Sequence, residues 1–232
     1  MIYFNGAALE AAAPVMIEDI RVSPIQMTAT ARQLPINWGA AFVRMTGGSR
    51  TVNISFGLPT DNRDTRAAQL AAITRWARSD TPKRLLLPYH DGRYLDAICT
   101  GLPEPSTRQW WESTLKLTFT TFDNPYWTSI DEKSAVVGTA FTVLGDAPPL
   151  MQVRNTYSAQ ATNAAFSDGT NTLTFSTIPA GDFVLDLNDQ TAAVGGTSIM
   201  DALAFTSSFI LPHTGAMTIT GAGTVYWRER WE

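Results

Sequence analysis

From Thr51 to Phe56 the chain alternates strictly, with Val52, Ile54 and Phe56 on one side and Thr51, Asn53 and Ser55 on the other. A two-residue period marks a strand with one buried and one wetted face. The pattern returns at Trp111, Leu115, Leu117 and Phe119, opposed by Glu112, Thr114, Lys116, Thr118 and Thr120. In the second half it recurs at Leu173/Phe175, Phe183/Leu185/Leu187, Met217/Ile219 and Val225/Trp227. Asp168-Gly169, Asn188-Asp189, Gly195-Gly196 and Gly221-Ala222-Gly223 supply turns between these runs. Short strands punctuated in this way predict a mainly β chain built as antiparallel sandwiches.

One segment breaks the period. Asp61-Asn62-Arg63-Asp64 offers an N-cap with an acid three positions on, and Thr65 to Arg78 runs without Gly or Pro until Asp80-Thr81-Pro82 stops it. A single helix over 62–79 is therefore expected. At 100° per residue, Leu70, Ile73, Trp76 and Ala77 share an arc that Arg75 and Arg78 avoid, so the helix covers a sheet or a neighbouring chain.

Charge divides the 232 residues. Residues 1–130 hold 13 Lys and Arg against 11 Asp and Glu, a net +2, whereas 131–232 hold 4 against 10, a net −6. The second half is also rich in Thr, Ala and Gly, which suggests two domains, 1–130 and 131–232, meeting between Ser129 and Gly138. Neither half has the clustered Lys and Arg that phosphate neutralisation requires, so sequence-specific nucleic-acid recognition is not expected.

With 44% apolar residues the chain can offset its ordering entropy, which excludes disorder as the main state. The lone Cys99 forms no internal disulfide, and with only His90 and His213 beside it no Cys/His zinc cluster assembles. No Lys or Arg precedes Arg21, and Glu10 interrupts the small-residue run, so no secretory signal is expected. The 26 uncharged residues from Ala202 to Trp227 are broken by Pro212, Gly215, Gly221 and Gly223 and read as β structure, with no membrane insertion.

Catalytic sets are missing at the level of motif. His90, in Pro88-Tyr89-His90-Asp91-Gly92, and His213, in Leu211-Pro212-His213-Thr214-Gly215, read as exposed turn histidines, and no Gly-x-Ser-x-Gly occurs. Cys99, inside Leu95 to Cys99, reads as a core side chain. Asp182/Asp186 and Asp91/Asp96 are the nearest carboxylate pairs for a hydrolase, and read more simply as turn-forming or solvated acids. The expectation is a non-enzyme with no metal and no cofactor. Trp110-Trp111, Trp227 and Trp231 would suit a carbohydrate-binding β-sandwich module, the alternative reading, but Trp111 and Trp227 fall on apolar strand faces.

Several pieces in order resemble the distal tail protein (Dit) family of long-tailed bacteriophages. They are Met1-Ile2-Tyr3-Phe4-Asn5-Gly6; Gly47-Gly48-Ser49-Arg50 before the strand Thr51 to Phe56; and Ile73-Thr74-Arg75-Trp76 before Leu85-Leu86-Leu87-Pro88 and Gly92-Arg93-Tyr94-Leu95-Asp96-Ala97. Asp123-Asn124-Pro125-Tyr126-Trp127 follows, where Asn124 departs from the family's Asp-Pro-Tyr ending; then come Gly138-Thr139, Pro148 to Val153, Gly181-Asp182 to Asp186, and Trp227-Arg228-Glu229-Arg230-Trp231.

The resemblance implies a galectin-like, jelly-roll-type C-terminal sandwich and an N-terminal domain that closes into a homo-hexameric ring at the tail tip. It implies as partners the tail tube or terminator-side proteins, the tail-associated hub, and receptor-binding proteins or cell-surface glycans. It also implies assembly in the host cytoplasm and a final place in the virion. The stretch from Trp38 to Arg50 reads as a protruding hairpin. Trp38, Phe42, Met45, Arg50, Arg75 and Arg78 are the candidate subunit-interface residues.

Overall fold

The alternating segments form strands, and their apolar positions are the ones withdrawn from water. A computed structural model describes residues 1–33, 40–60, 62–103 and 114–232, the side chains of 27–47 excepted. The chain divides into two units, 1–127 and 128–231.

The first unit contains β1 (Tyr3–Phe4), β2 (Ala7–Ala8), α1 (Leu9–Ala12), β3 (Met16–Val22), β4 (Met27–Gln33), β5 (Ala40–Gly47), β6 (Thr51–Gly57), α2 (Arg63–Ala77), β7 (Lys83–Leu86), β8 (Arg93–Gly101) and β9 (Leu115–Thr120). Its antiparallel sheet runs β2-β1-β7-β8-β9-β6-β3. Register places Val52, Ile54 and Phe56 of β6 opposite Phe119, Leu117 and Leu115 of β9, and all six are buried. Cross-strand apolar pairs of this kind are the unit of sheet stabilisation.

Helix α2 begins at Asn62, whose side chain accepts from the backbone N–H of Asp64 and Thr65 at 2.9 and 3.1 Å. Asp61 lies outside the described residues. The helix covers its own chain's sheet. The Trp76 ring meets Phe4 and Phe119 edge-on, at 5.8 and 6.1 Å between centroids, and Ile73 and Ala77 are fully buried. A second, four-residue helix, α1, corrects the one-helix expectation. The Ala-rich run from Ala7 to Ala13 has high helical propensity, and buried Leu9 anchors it, its N–H bonding the Ile2 carbonyl at 2.9 Å.

Strands β4 and β5 pair with each other and with no third strand among the described residues. Their ribbon continues from β3 and β6: the Gln26 N–H bonds the Ser49 carbonyl and the Gly48 N–H bonds the Gln26 carbonyl. A Cβ on Gly48 would sit 2.5 Å from that Gln26 carbonyl oxygen, so the close approach requires glycine.

After β10 (Trp127–Ser129), the second unit holds β11 (Lys133–Val136), β12 (Phe141–Val143), β13 (Ala147–Tyr157), β14 (Ala161–Ser167), β15 (Thr172–Ile178), β16 (Gly181–Asp186), β17 (Thr191–Val194), β18 (Thr197–Ser198), β19 (Gly215–Met217) and β20 (Thr224–Trp231). The order β18-β17-β16-β13-β20-β11 makes one antiparallel sheet. Ribbons β12-β19 and β14-β15 are linked through the Ser167–Thr220 bridge. One core cluster joins Met151, Val153, Leu185 and Val225 of the sheet with Phe141, Phe166, Phe175 and Met217 of the ribbons. Two layers sharing a core in this way make the second unit a sandwich.

Candidate interaction surfaces

The six candidate interface residues fall into three groups. Trp38 lies outside the described residues, as do the side chains of Phe42 and Met45, whose backbones pair with Ala31 and Ala29 across the hairpin. Arg75 and Arg78, at the end of α2, are exposed. Arg50 differs from both groups in being buried. It is 4% exposed, because its backbone is clamped to Thr121: the Arg50 N–H donates to Thr121 Oγ1 at 2.8 Å, and the Thr121 N–H to the Arg50 carbonyl at 2.9 Å.

The histidines differ from each other. His213 is exposed, with Nδ1 2.8 Å from the Thr214 carbonyl oxygen. His90 corrects the exposed-turn reading, since it is half-buried and stacked on Trp127 at 3.9 Å between centroids. Burial, and then the positive charges of Arg93 and Arg50, hold its pKa below the usual value. Cys99 is half-buried rather than fully in the core. Its thiol lies 3.5 Å from the Gly101 carbonyl oxygen, and burial raises its pKa, so it is a poor nucleophile.

The Asp182/Asp186 pair has structural partners. Asp182 accepts from Thr156 Oγ1 at 2.8 Å. Asp186 accepts from Gln152 Nε2 at 2.7 Å and from the N–H groups of Asn188 and Asp189, closing the turn after β16. Asp91 is exposed, while Asp96 is half-buried with its pKa raised by burial, against the lowering effects of Arg84 and Asn124. Trp227 is 5% exposed and stacked on Phe141 at 4.5 Å, which spends its ring on the core; Trp110 and Trp111 lie outside the described residues. No group of three or more metal-ligating side chains occurs among the described residues, and no described helix is long and apolar enough to cross a membrane.

Among the described residues, each unit carries a concavity. In the first unit a cavity of about 360 Å³ is lined by Met1, Ile2, Glu10, Ile17, Glu18, Asp19, Ile20, Pro88 and Tyr89. In the second, about 380 Å³ opens on the solvent face of β16, β13 and β20 among Arg154, Asn155, Thr156, Asp182 and Tyr226. There the Arg154 guanidinium lies over the Tyr226 ring at 4.5 Å and forks onto Glu132 through two 3.1 Å bonds, occupying its donors and one aromatic face.

Sequence reasoning missed the buried charges of Arg66 and Glu229. Glu229 is 4% exposed and takes both the Lys133 ammonium, at 2.7 Å, and the Leu144 N–H, at 3.0 Å. Its parity with Val225 and Trp227 along β20 was the available signal.

No family model matches the chain, and no curated protein matches it by sequence. Among solved structures, the crystal structure of SPP1 Dit (gp 19.1) aligns over 100% of this chain and 98% of that one, with a TM-score of 0.74 and 16% identity. The fold is that of SPP1 Dit. That protein is called a paradigm of the hub adsorption apparatus in phages that infect Gram-positive bacteria. The baseplate of phage P2 in its activated conformation with Ca aligns over 92% of this chain and 89% of that one, at a TM-score of 0.44 and 9% identity. A Dit fold specifies where strands and loops go; what the surfaces bind depends on side chains that differ at five positions in six.

Proposed function

We propose that this chain is a non-enzymatic structural component of a phage tail tip or baseplate. In this reading six copies close into a ring that joins the tail tube to the tail-associated hub and the receptor-binding apparatus. The observation that carries it is the end-to-end likeness to SPP1 Dit, which spans both units rather than one common sandwich.

The chemistry of the surface supports the reading. Asp182 and Asp186, a pair with catalytic spacing, are engaged in sheet and turn hydrogen bonds. Residues 1–130 carry only a net +2 without clustered Lys and Arg, so a lumen formed from them would let DNA pass without tight phosphate binding. The particle would assemble in the host cytoplasm and end in the virion. Closed rings need two different, complementary surfaces on each copy. In this reading the hairpin carrying Trp38, Phe42 and Met45 is one such surface, reaching to the next copy, and exposed Arg75 and Arg78 at the end of α2 add charge to the contact.

Mass in solution tests the reading. Six copies of a 25.3 kDa chain weigh about 152 kDa, and light scattering of the purified protein, alone and with the hub, is expected to show that species. A single copy under both conditions, with six-fold rings absent from negative-stain images, would overturn it. Phe42→Asp/Met45→Asp is expected to abolish the ring; a ring that survives removes the hairpin from the interface.

A further inference from the structure

The loop that follows β18 carries a large apolar side chain that its own fold does not use. Phe205 is fully exposed, at 104%, so its ring is covered by nothing among the described residues. It sits at the tip of a turn over 204–207, closed by the Ser207 N–H on the Ala204 carbonyl at 3.0 Å. Turn tips ordinarily take Gly, Pro, Asn, Asp or Ser, whose backbone or side chain suits the bend, and phenylalanine brings neither property.

The turn is held on both sides by β15. The Ala204 N–H bonds the Thr174 carbonyl at 2.8 Å, the Ser208 N–H bonds the Thr172 carbonyl at 2.9 Å, and Ser207 Oγ accepts from the Thr174 N–H at 2.9 Å. Just before the turn, Ser176 Oγ donates to the Ala202 carbonyl at 3.1 Å, and Leu203 bridges Phe175, which is fully buried. A backbone anchored in this way presents Phe205 in one place, so little freedom remains to be lost when the ring is covered. Aromatic side chains presented rigidly are the anchors of protein interfaces, whereas apolar residues lying singly along a surface are ordinary.

The surrounding charge selects the partner. From Asn155 to Trp227 the chain runs for 73 residues with five Asp and no Glu, Lys or Arg. Asp201 lies four positions before Phe205, on the single 3-10 turn Met200–Ala202 that leads into the loop; it is exposed and has no ion pair among the described residues. We infer that Phe205 is the anchor of a docking surface on the second unit, and that its partner is another tail protein with an apolar pocket rimmed by Lys or Arg. The inference rests on the tail-component reading and adds to it a contact made by the second unit. Two copies meeting through this loop would set Asp against Asp, which disfavours a symmetric pairing and leaves a basic rim as the complement.

Photo-crosslinking in assembled tails tests this. The photoreactive residue p-benzoylphenylalanine in place of Phe205 keeps an aromatic ring at the tip, and the same residue in place of exposed Gln160, between β13 and β14, is the control. On irradiation of tails that carry the full chain, position 205 is expected to join one segment of one other tail protein, a segment holding apolar residues with Lys or Arg, and position 160 is not. With that protein purified, Phe205→Ser is expected to weaken binding by about 30-fold or more, with unchanged melting of the chain itself because the ring makes no contact in it. Asp201→Lys is expected to weaken binding less and to flatten its dependence on salt. No crosslink at 205, a crosslink to a second copy alone, equal crosslinking from 160, or binding that Phe205→Ser leaves unchanged overturns the inference while the tail reading stands. Tails from which the chain is absent overturn both.

Discussion

The His90 imidazole lies almost flat on the Trp127 indole, with ring centroids 3.9 Å apart and planes inclined by 21°. The turn between β7 and β8 holds it there: the His90 N–H bonds the Leu87 carbonyl at 3.2 Å and the Arg93 N–H bonds the His90 carbonyl at 3.1 Å. Buried against an indole and flanked by Arg93 and Arg50, the ring favours its neutral form.

A depressed histidine pKa makes stability depend on pH in one direction. The unfolded chain binds a proton near pH 6.5 that the folded chain refuses, so His90's contribution is complete above that pH and is lost as pH falls through it. His90→Phe keeps the stacking area and removes the titration. The fall in Tm between about pH 8 and pH 5 is expected to be shallower in the variant than in the wild type. Parallel curves would show that the ring titrates as it does in the unfolded chain.

Trp76, Phe4 and Phe119 lock α2 to the sheet, with Phe4 and Phe119 5.0 Å apart and Trp76 edge-on to both. Phe119 has no exposed surface, and Phe119→Ala removes the centre of this cluster, at an expected cost of about 3–5 kcal/mol in urea unfolding. Trp76→Phe keeps an edge contact and loses the 2.9 Å bond from Nε1 to the Ala7 carbonyl, at about 1 kcal/mol. Equal losses for the two would mean that the hydrogen bond, not the packing, fixes the helix.

What could be read in the sequence was whatever depends on neighbours along the chain. The alternation at Val52, Ile54 and Phe56, or at Leu173 and Phe175, identifies buried faces because period two is a local property of a strand. Helix α2 was legible for the same reason, and its cap differs by one residue because Asn62 and Asp61 are equally suited by type. His90 was misread because Trp127 lies 37 positions away. The burial of Arg50 was not legible because Thr121, which bonds its backbone, belongs to a region that only sheet pairing brings near. The first unit's cavity escaped entirely: Met1, Glu18 and Tyr89 share no periodicity and meet only in space.

Glu229 follows Val225 and Trp227 on the inward side of β20, where a carboxylate survives only if its bonds are made. Lys133 and the Leu144 N–H make them. Glu229→Gln keeps an acceptor for Leu144 and gives up the ion pair, whose lysine end is 44% exposed and therefore screened; a loss of about 1 kcal/mol is expected. Glu229→Ala also strands the Leu144 N–H and opens space, and is expected to cost about 3 kcal/mol. Chemical denaturation that finds equal losses for Gln and Ala would mean the ion pair dominates.

Gly145 and Gly138 separate two reasons for a glycine. Both have positive φ, +105° and +85°, but a Cβ at Gly145 would lie 2.3 Å from the Arg230 carbonyl oxygen, whereas at Gly138 it would meet nothing within 4 Å. Gly138→Ala therefore bears only the left-handed backbone penalty, about 1–2 kcal/mol. Gly145→Ala adds a collision with backbone that cannot rotate away, because Gly145 bridges Arg230 and the Asp146 N–H bonds that same carbonyl at 3.2 Å. A further loss of about 1–3 kcal/mol is expected. The difference between the two variants, measured by urea unfolding of the whole chain, isolates the collision from the strain. If they lose the same amount, the β20 edge yields to a methyl group and the bridge at Gly145 is not rigid.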